Sequence, residues 1–289
     1  MPELPEVETI RRGLAPRLIG KTIEEITVRE SKMFSGDEEA VIGRYISELR
    51  RHGKLLVFIL DDGHAITVHL KMTGQLIWKP AKSASEEAVM GGHPSEGYLD
   101  PLPHKHTHVV IDFSDGSTLY FNDLRKFGMM SVLDEKGLEE LHFIQKLGPE
   151  PLDKEFTSDY LAQQIKKHPR VPIKSFLLDQ TNIAGLGNIY ADESLFRAAI
   201  LPVRLSGSLT SGEVRNLHAA IGETLELALL YGGSSEKDYV NAIGEKGTYL
   251  KIAQVYHRTG QQCVRCLEGT IERVKVAGRS THYCPECQH

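Results

Sequence analysis

At 289 residues the chain is long enough for two domains, and its 40% hydrophobic and 25% charged content is that of an ordinary globular protein, not a disordered or fibrous one. No apolar run could span a bilayer, and the acidic, amphipathic start is no secretory signal; both weigh against membrane-embedded and exported classes. The net charge of −5 offers no global attraction for nucleic acid, yet Lys251 to His289 carries six Lys or Arg against three Glu, a local basic surplus of the kind that serves phosphate binding.

The chain opens Met-Pro-Glu-Leu-Pro-Glu-Val-Glu. A small second residue favours removal of the initiator Met, which would leave Pro2 as a secondary amine flanked by Glu3, Glu6 and Glu8. Such an amine attacking a carbon at the aldehyde oxidation level becomes a fully substituted iminium, a permanent electron sink, and N-terminal amines do serve as nucleophiles or bases. Pro and acids are also ordinary helix-start residues, and Val7, Ile10 and Leu14 continue with helical spacing to about Leu18. Both readings can hold at once, because a helix starting near Pro5 points its positive end at the amine and lowers its pKa, against the neighbouring carboxylates.

After Gly20 the pattern turns to strands, at Thr22–Glu30, Tyr45–His52, Lys54–Leu60, Ala65–Leu70, Thr73–Trp78, Thr107–Phe113, Ser117–Asn122 and Met129–Leu133, with Asp-Gly turns between several of them. Short strands so punctuated predict a β-sandwich or barrel. Lys79–Pro103, rich in Pro, Gly, Ser and Glu and without periodicity, reads as a surface insertion. Composition shifts at Leu147-Gly148-Pro149-Glu150-Pro151, and helices are predicted at Ser158–Lys167, Val171–Leu178, Ala191–Arg197 and Ser211–Leu230. The expected organisation is α+β: a β-sandwich domain with its N-terminal helix over 1–147, a helical domain over 148–252, and a ribbon over 253–289.

All four cysteines lie in that last stretch, as Cys263-Val-Arg-Cys266 and Cys284-Pro-Glu-Cys287, seventeen residues apart. A Cys-x-x-Cys turn aims two thiolates at one point, so two such turns complete a tetrahedral zinc site; a redox dithiol pair is the alternative. The intervening Ile271–Val276 and Thr281–Tyr283 read as a hairpin with Ala277-Gly278-Arg279 at its tip, and Arg279 there is either a phosphate ligand on a rigid support or a solvated side chain. Gly185-Leu-Gly187-Asn188 before a helix suggests either close approach of backbone amides to a phosphate or a plain helix–helix turn.

Together these motifs resemble the bacterial formamidopyrimidine-DNA glycosylase family over essentially the whole chain: Pro2-Glu3-Leu4-Pro5-Glu6-Val7-Glu8 at the start, Leu147-Gly148-Pro149-Glu150-Pro151-Leu152, Gly187-Asn188-Ile189-Tyr190-Ala191, then the four-cysteine ribbon, in family order. Leu4 favours this branch over the related endonuclease VIII branch, which usually starts Pro-Glu-Gly-Pro. The resemblance implies a helix–two-turn–helix domain, one structural zinc ion and damaged duplex DNA as partner. The enzyme would be a monomer in the bacterial cytoplasm that excises oxidised purines and then cleaves the strand by β,δ-elimination. It also implies roles: Pro2 as nucleophile, Glu3 in proton handling, Lys54 assisting β-elimination, and Arg279 in phosphate contact and δ-elimination. Asn188, His106, Arg170 and Lys174 would contact DNA, and residues 234–247 would enclose the flipped base. Met72, Arg125 and Phe127 would fill the gap it leaves, although Met72 and Phe127 taken alone read as core residues.

Three features depart from the family pattern. The 79–103 stretch is longer than usual, the ribbon has one residue more between its Cys pairs than in some members, and Lys126 stands where many members have Arg. His104, His106 and His108, two apart, predict one solvated strand face with a single DNA contact, in preference to a metal cluster. The alternative functions are an oxidised-pyrimidine glycosylase of the endonuclease VIII type and a DNA-binding zinc-ribbon protein without catalysis.

Overall fold

All eight expected strands between residues 22 and 133 form, and among the described residues two more join them to make two five-stranded sheets. The computed structural model describes residues 1–81, 88–92, 101–234 and 247–289. The chain divides into two compact units, residues 1–145 with 232–247, and residues 146–231 with 248–289.

In the first unit, helix α1 (Leu4–Leu18) precedes strands β1 (Ile23–Val28), β2 (Phe34–Ser35), β3 (Ile46–His52), β4 (Leu55–Leu60), β5 (Ala65–His69), β6 (Gly74–Lys79), β7 (Val89–Gly92), β8 (Thr107–Phe113), β9 (Thr118–Asp123) and β10 (Met129–Leu133). The sheet orders are β1-β8-β9-β6-β7 and β2-β10-β5-β4-β3. Among the described residues, every pairing in these sheets is antiparallel except β2 with β10. Inward residues of both sheets, among them Phe113, Phe121, Leu76 and Trp78 on one side and Leu56, Phe58, Ile66 and Val68 on the other, share one core. This is the sandwich that the alternation predicts.

Helix α1 adds Val7, Ile10, Leu14 and Leu18 to that core, one stripe at helical spacing. Strand β4 reads Leu-Leu-Val-Phe-Ile-Leu without alternation because both of its faces are covered. Leu56, Phe58 and Leu60 face the sandwich core, while Leu55 and Val57 lie under Leu138, Leu141, Phe143 and Ile144. Those covering residues follow from two short helices that the sequence reading missed, α2 (Glu135–Glu139) and α3 (His142–Gln145).

The 79–103 stretch is not wholly a surface insertion. Strand β7 extends the first sheet beside β6, with Gln75 opposite Gly92 and Trp78 opposite Val89, and it packs on α1. A Cβ at Gly91 would come 2.5 Å from Ile10 Cγ1, so glycine is what lets the strand lie directly on the helix. With glycines inside it and only four residues in length, β7 carries no period to detect.

The second unit holds α4 (Ser158–Lys167), α5 (Ile173–Leu178), α6 (Asn188–Arg197) and α7 (Ser211–Leu230), followed by the hairpin β11 (Glu272–Val276) and β12 (Arg279–Tyr283). Helix α6 begins three residues before the expected start, at Asn188, because Gly187 takes the extended N-cap conformation. Ile173, Phe176, Leu186, Tyr190, Leu195, Leu217, Ile221 and Leu225 form the helical core, and a smaller core of Phe196, Val255, Ile271, Cys263 and Cys284 lies beneath the ribbon. Among the described residues, no helix is long and apolar enough to cross a membrane.

Candidate functional site

Pro2 is buried immediately ahead of α1, and Glu3 is the residue that caps the helix. Pro5 stands in the first turn, where a missing N–H costs nothing. The buried Glu6 carboxylate accepts from the Glu3 backbone N–H at 2.8 Å through Oε2. Through Oε1 it accepts from the Ser234 N–H at 2.7 Å and the Ser234 hydroxyl at 3.0 Å. One carboxylate thus ties the helix start to the stretch of chain at Ser234. Gly247 joins the same place: a Cβ there would lie 2.4 Å from the Gly233 carbonyl oxygen. The two ends of the expected base-enclosing segment therefore meet beside Glu6, while 235–246 lie outside the described residues. With Met1 attached, the Pro2 nitrogen is an amide.

Lys54, only 6% exposed, sits in the tight turn between β3 and β4, where His52 pairs with Leu55. The structure also brings in His69, at the end of β5, a residue that the sequence reading missed. Burial, with the nearby Lys71 and Lys54 charges adding to it, pushes its imidazole down to about 3, so it is neutral at physiological pH. Its Nδ1 accepts from the Lys71 N–H at 3.1 Å, which leaves the proton on Nε2 as a donor. Nothing in the sequence distinguishes His69 from any other strand-end histidine.

Met72 and Phe127 are 42% and 53% exposed, so their reading as core residues fails. The β5–β6 and β9–β10 turns bring them together with Arg125, whose Nη1 is 3.2 Å from Met72 Sδ and whose guanidinium lies 4.7 Å from the Phe127 ring centroid. Asp123, 1% exposed, holds this arrangement from below. Its Oδ1 accepts from the Arg125 N–H at 2.9 Å and from the Thr73 hydroxyl; its Oδ2 accepts from the Phe127 N–H at 3.0 Å and the Gly128 N–H at 2.6 Å. Exposed apolar side chains on a turn fixed by a buried carboxylate are not a packing accident. Lys126 points elsewhere, to the Glu30 carboxylate.

The histidines do not form a solvated strand face. Only His108 lies within β8, and it is buried with Nε2 2.8 Å from the Asp123 carbonyl oxygen; His104 is buried too. His106 precedes the strand, its N–H donating to His104 Nδ1 at 3.1 Å and its carbonyl accepting from the Asp123 N–H at 2.9 Å, so it lies next to the Arg125 turn.

In the second unit Asn188 opens α6, and its side-chain oxygen is a buried acceptor with no partner among the described residues. Gln180 braces the preceding loop, accepting from the Gly185 N–H at 2.9 Å and donating to the Leu186 carbonyl at 2.9 Å. Arg170 is exposed between α4 and α5, and Arg279 is exposed at the hairpin tip. Lys174 requires correction. It was expected to contact DNA, but it is fully buried, with Nζ 2.6 Å from Asp192 Oδ1 and donating to the Ser280 carbonyl at 2.8 Å. Asp192 in turn accepts from the His282 N–H at 2.9 Å, so this charged cluster fastens β12 to α5 and α6. Glu193, also missed, is buried and accepts from the N–H groups of Gln254, Val255 and Tyr256 at 2.8, 2.9 and 2.8 Å. Burial holds its carboxyl above the usual range despite those donors.

The four cysteine sulfurs lie within 4.8 Å of one another, with Cys263 to Cys287 at 3.7 Å and Cys266 to Cys284 at 3.8 Å. Thiolates about 2.3 Å from a tetrahedral centre stand roughly 3.8 Å apart, so the spacing is that of zinc ligands and far from a disulfide. The Arg265 N–H points at Cys263 Sγ at 3.4 Å, and the Gly269 N–H at Cys266 Sγ at 3.3 Å, where it favours the Cys266 thiolate. Four thiolates close the coordination sphere, so the cysteines hold one structural zinc ion.

Three family models match in chain order: the formamidopyrimidine-DNA glycosylase N-terminal domain over 1–130, its H2TH domain over 147–240, and the zinc finger found in FPG and IleRS over 260–289. The formamidopyrimidine-DNA glycosylase of Geobacillus kaustophilus is 44% identical over 298 residues, covering 100% of both chains. That of Streptococcus pneumoniae is 42% identical over 293 residues, covering 100% of this chain and 99% of its own. Among solved structures, the MutM (FPG) protein of Thermus thermophilus superimposes with a TM-score of 0.84 at 38% identity, covering 99% of this chain and 98% of its own. A Lactococcus lactis FPG mutant in complex with a Fapy-dG containing DNA gives 0.85 at 34% identity, with 100% of each chain covered. With its sandwich, its helix-opening Gly187-Asn188 turn and its four-cysteine ribbon matched end to end, the chain belongs to the formamidopyrimidine-DNA glycosylase family.

Proposed function

We propose that this protein is a bifunctional DNA glycosylase of base excision repair that removes oxidised purines, 8-oxoguanine and formamidopyrimidines, and then cleaves the strand. The observation that carries the reading is the exposed Met72–Arg125–Phe127 group locked by Asp123. An enzyme acting on a base takes it out of the stack, and a thioether, a guanidinium and an aromatic ring on a rigid turn can fill the hole left behind. The Lactococcus relative, solved with Fapy-dG containing DNA, supports the substrate class.

In this reading, removal of Met1 converts the Pro2 amide to a secondary amine at the positive end of α1. The amine lone pair attacks C1′ of the flipped nucleotide, and the C1′–N bond electrons leave with the base, which takes up a proton. Glu3 shuttles protons as the sugar ring opens to the iminium. The iminium acidifies the C2′ proton; its removal, assisted by Lys54, pushes out the 3′-phosphate, and a second elimination releases the 5′-phosphate with Arg279 against it. His106, Arg170 and Asn188 contact the DNA, and the zinc ion holds the ribbon that presents Arg279. Lys174 supports that ribbon from inside and takes no part in contact. The enzyme acts as a monomer in the bacterial cytoplasm.

Borohydride reduction during reaction with an 8-oxoguanine duplex tests this directly. The expected result is a covalent protein–DNA adduct from the Met1-processed protein, lost in Pro2→Gly. An adduct at full yield in Pro2→Gly would sink the proline-specific step. Processing of thymine glycol in preference to 8-oxoguanine would make the protein an endonuclease VIII-type enzyme, and absence of any nicking would make it a non-catalytic DNA binder.

A further inference from the structure

The two groups assigned to chemistry on one sugar come from separate segments, Pro2 from the start of α1 and Lys54 from the β3–β4 turn. Glu8 and Arg51 connect those segments. Glu8 lies in the second turn of α1, 7% exposed, and its carboxylate gathers three guanidinium groups. Oε1 accepts from Arg11 Nη2 and Arg12 Nε, both at 2.8 Å, and Oε2 accepts from Arg11 Nε at 3.0 Å and Arg51 Nε at 3.1 Å. Arg51 is the member that does not come from the helix. Its Nε holds Glu8, while its Nη1 donates at 3.0 Å to the carbonyl of Gly53, the residue bonded to Lys54. Arg11 adds a parallel link, from Nη1 to the Leu49 carbonyl on β3 at 3.2 Å.

A stability role alone does not account for this arrangement. The sandwich core already holds α1 through Val7, Ile10, Leu14 and Leu18. The Arg51 fork instead grips the backbone one residue from the proposed catalytic lysine, and it is anchored four residues from the first residue of the helix. A guanidinium spans two acceptors in fixed geometry; an ammonium is a point charge and does not impose that geometry.

We propose that Glu8 and Arg51 form a positioning pair that sets Lys54 against the Pro2 amine. The proposal rests on the assignment of Pro2 and Lys54 as the acting groups. Neither Glu8 nor Arg51 touches substrate in it; they act through the turn that carries Lys54.

The test uses the full-length, Met1-processed protein and its Arg51→Lys, Arg51→Met and Glu8→Gln variants on duplex DNA with a preformed abasic site. Three quantities are measured: the single-turnover cleavage rate at saturating protein, normalised to the protein that borohydride can trap; the Kd for a tetrahydrofuran-containing duplex; and the melting temperature. The expected result is a fall in the normalised rate of about ten- to a hundredfold in Arg51→Lys and Glu8→Gln, as for an ångström-scale misplacement, with Kd nearly unchanged. A merely structural role would lower the trappable fraction and the melting temperature but leave the rate per trapped site alone. Should Arg51→Met not fold, Arg51→Lys, which keeps the charge, still gives the answer. Normal trapping in the wild type with unchanged normalised rates in Arg51→Lys and Glu8→Gln overturns the positioning pair alone. No trapping in the wild type overturns the Pro2 assignment and this proposal with it.

Discussion

Asp123 shows how much a single buried carboxylate can organise. Its two oxygens accept from three backbone N–H groups within residues 125–128 and from the Thr73 hydroxyl, while the residues it positions are exposed. Stability and function therefore separate by residue. Asp123→Ala strands buried donors and is expected to cost about 2–4 kcal/mol in urea unfolding. Phe127→Ala removes a half-exposed ring, should shift stability by only about 0.5 kcal/mol, and should nevertheless lower excision from a lesion-containing duplex severely. Equal losses of stability in the two variants would show that Phe127 is a packing residue after all. Neither Asp123 nor His69 was marked by the sequence, because what sets each apart is a partner distant along the chain or the burial around it.

At the scale of elements, the hairpin β11–β12 depends on two supports that act differently. Zinc holds the cysteine turns together, since a ribbon this small has too little core to fold alone. The buried Lys174–Asp192 pair fastens β12 to α5 and α6 through the Ser280 carbonyl and the His282 N–H. Removing one member leaves an uncompensated buried charge, so Lys174→Met should destabilise the second unit by about 3–5 kcal/mol. Replacing both, as Lys174→Met with Asp192→Leu, should cost less than Lys174→Met alone, because it removes both charges. Chemical denaturation of the two variants with zinc present is the measurement, and amide exchange at 279–283 should report the loosening. A Lys174→Met protein as stable as the wild type would leave the cluster without its fastening role.

For the molecule as a whole, charge is distributed so that the total misleads. The net charge is −5, yet several acids are already committed internally. Burial opposes ionisation of Glu8, but hydrogen bonds from Arg11 and Arg12 and the Arg51 charge outweigh it and hold the carboxyl at about 2. Since the folded pKa lies below that of the unfolded chain, the stabilisation is complete above about pH 4.5 and is lost as pH falls through about 2. The wild type should therefore exceed Glu8→Gln in stability near pH 7, with the gap closing steadily towards pH 2; a gap independent of pH would deny the charge its part. On the proposed reading, in which exposed cations such as Arg170 and Arg279 meet the phosphates, DNA affinity should fall steeply with salt despite the negative total. Arg279→Ala should reduce the slope of log Kd against log salt by about one with the fold intact, and an unchanged slope would remove Arg279 from the phosphates.

By itself the sequence determined the α+β class, the strands of the sandwich, the long helices, the zinc site and the family. These are properties of local period and fixed spacing: strand alternation, a 3.6-residue stripe, two Cys-x-x-Cys turns whose geometry is set within four residues each. Tertiary structure alone decided which polar side chains are exposed and what they hold. Lys174 and Arg279 are both basic residues of the second unit, yet one is sealed against Asp192 and the other stands at a hairpin tip. Met72 and Phe127 look like core residues and are surface ones, because Asp123 turns the chain outward beneath them. Strand β7, too short to show a period, exists because Gly91 fits against Ile10 on a helix some eighty residues earlier. Burial and charge pairing depend on neighbours that only the folded chain brings together, and a linear pattern does not encode them.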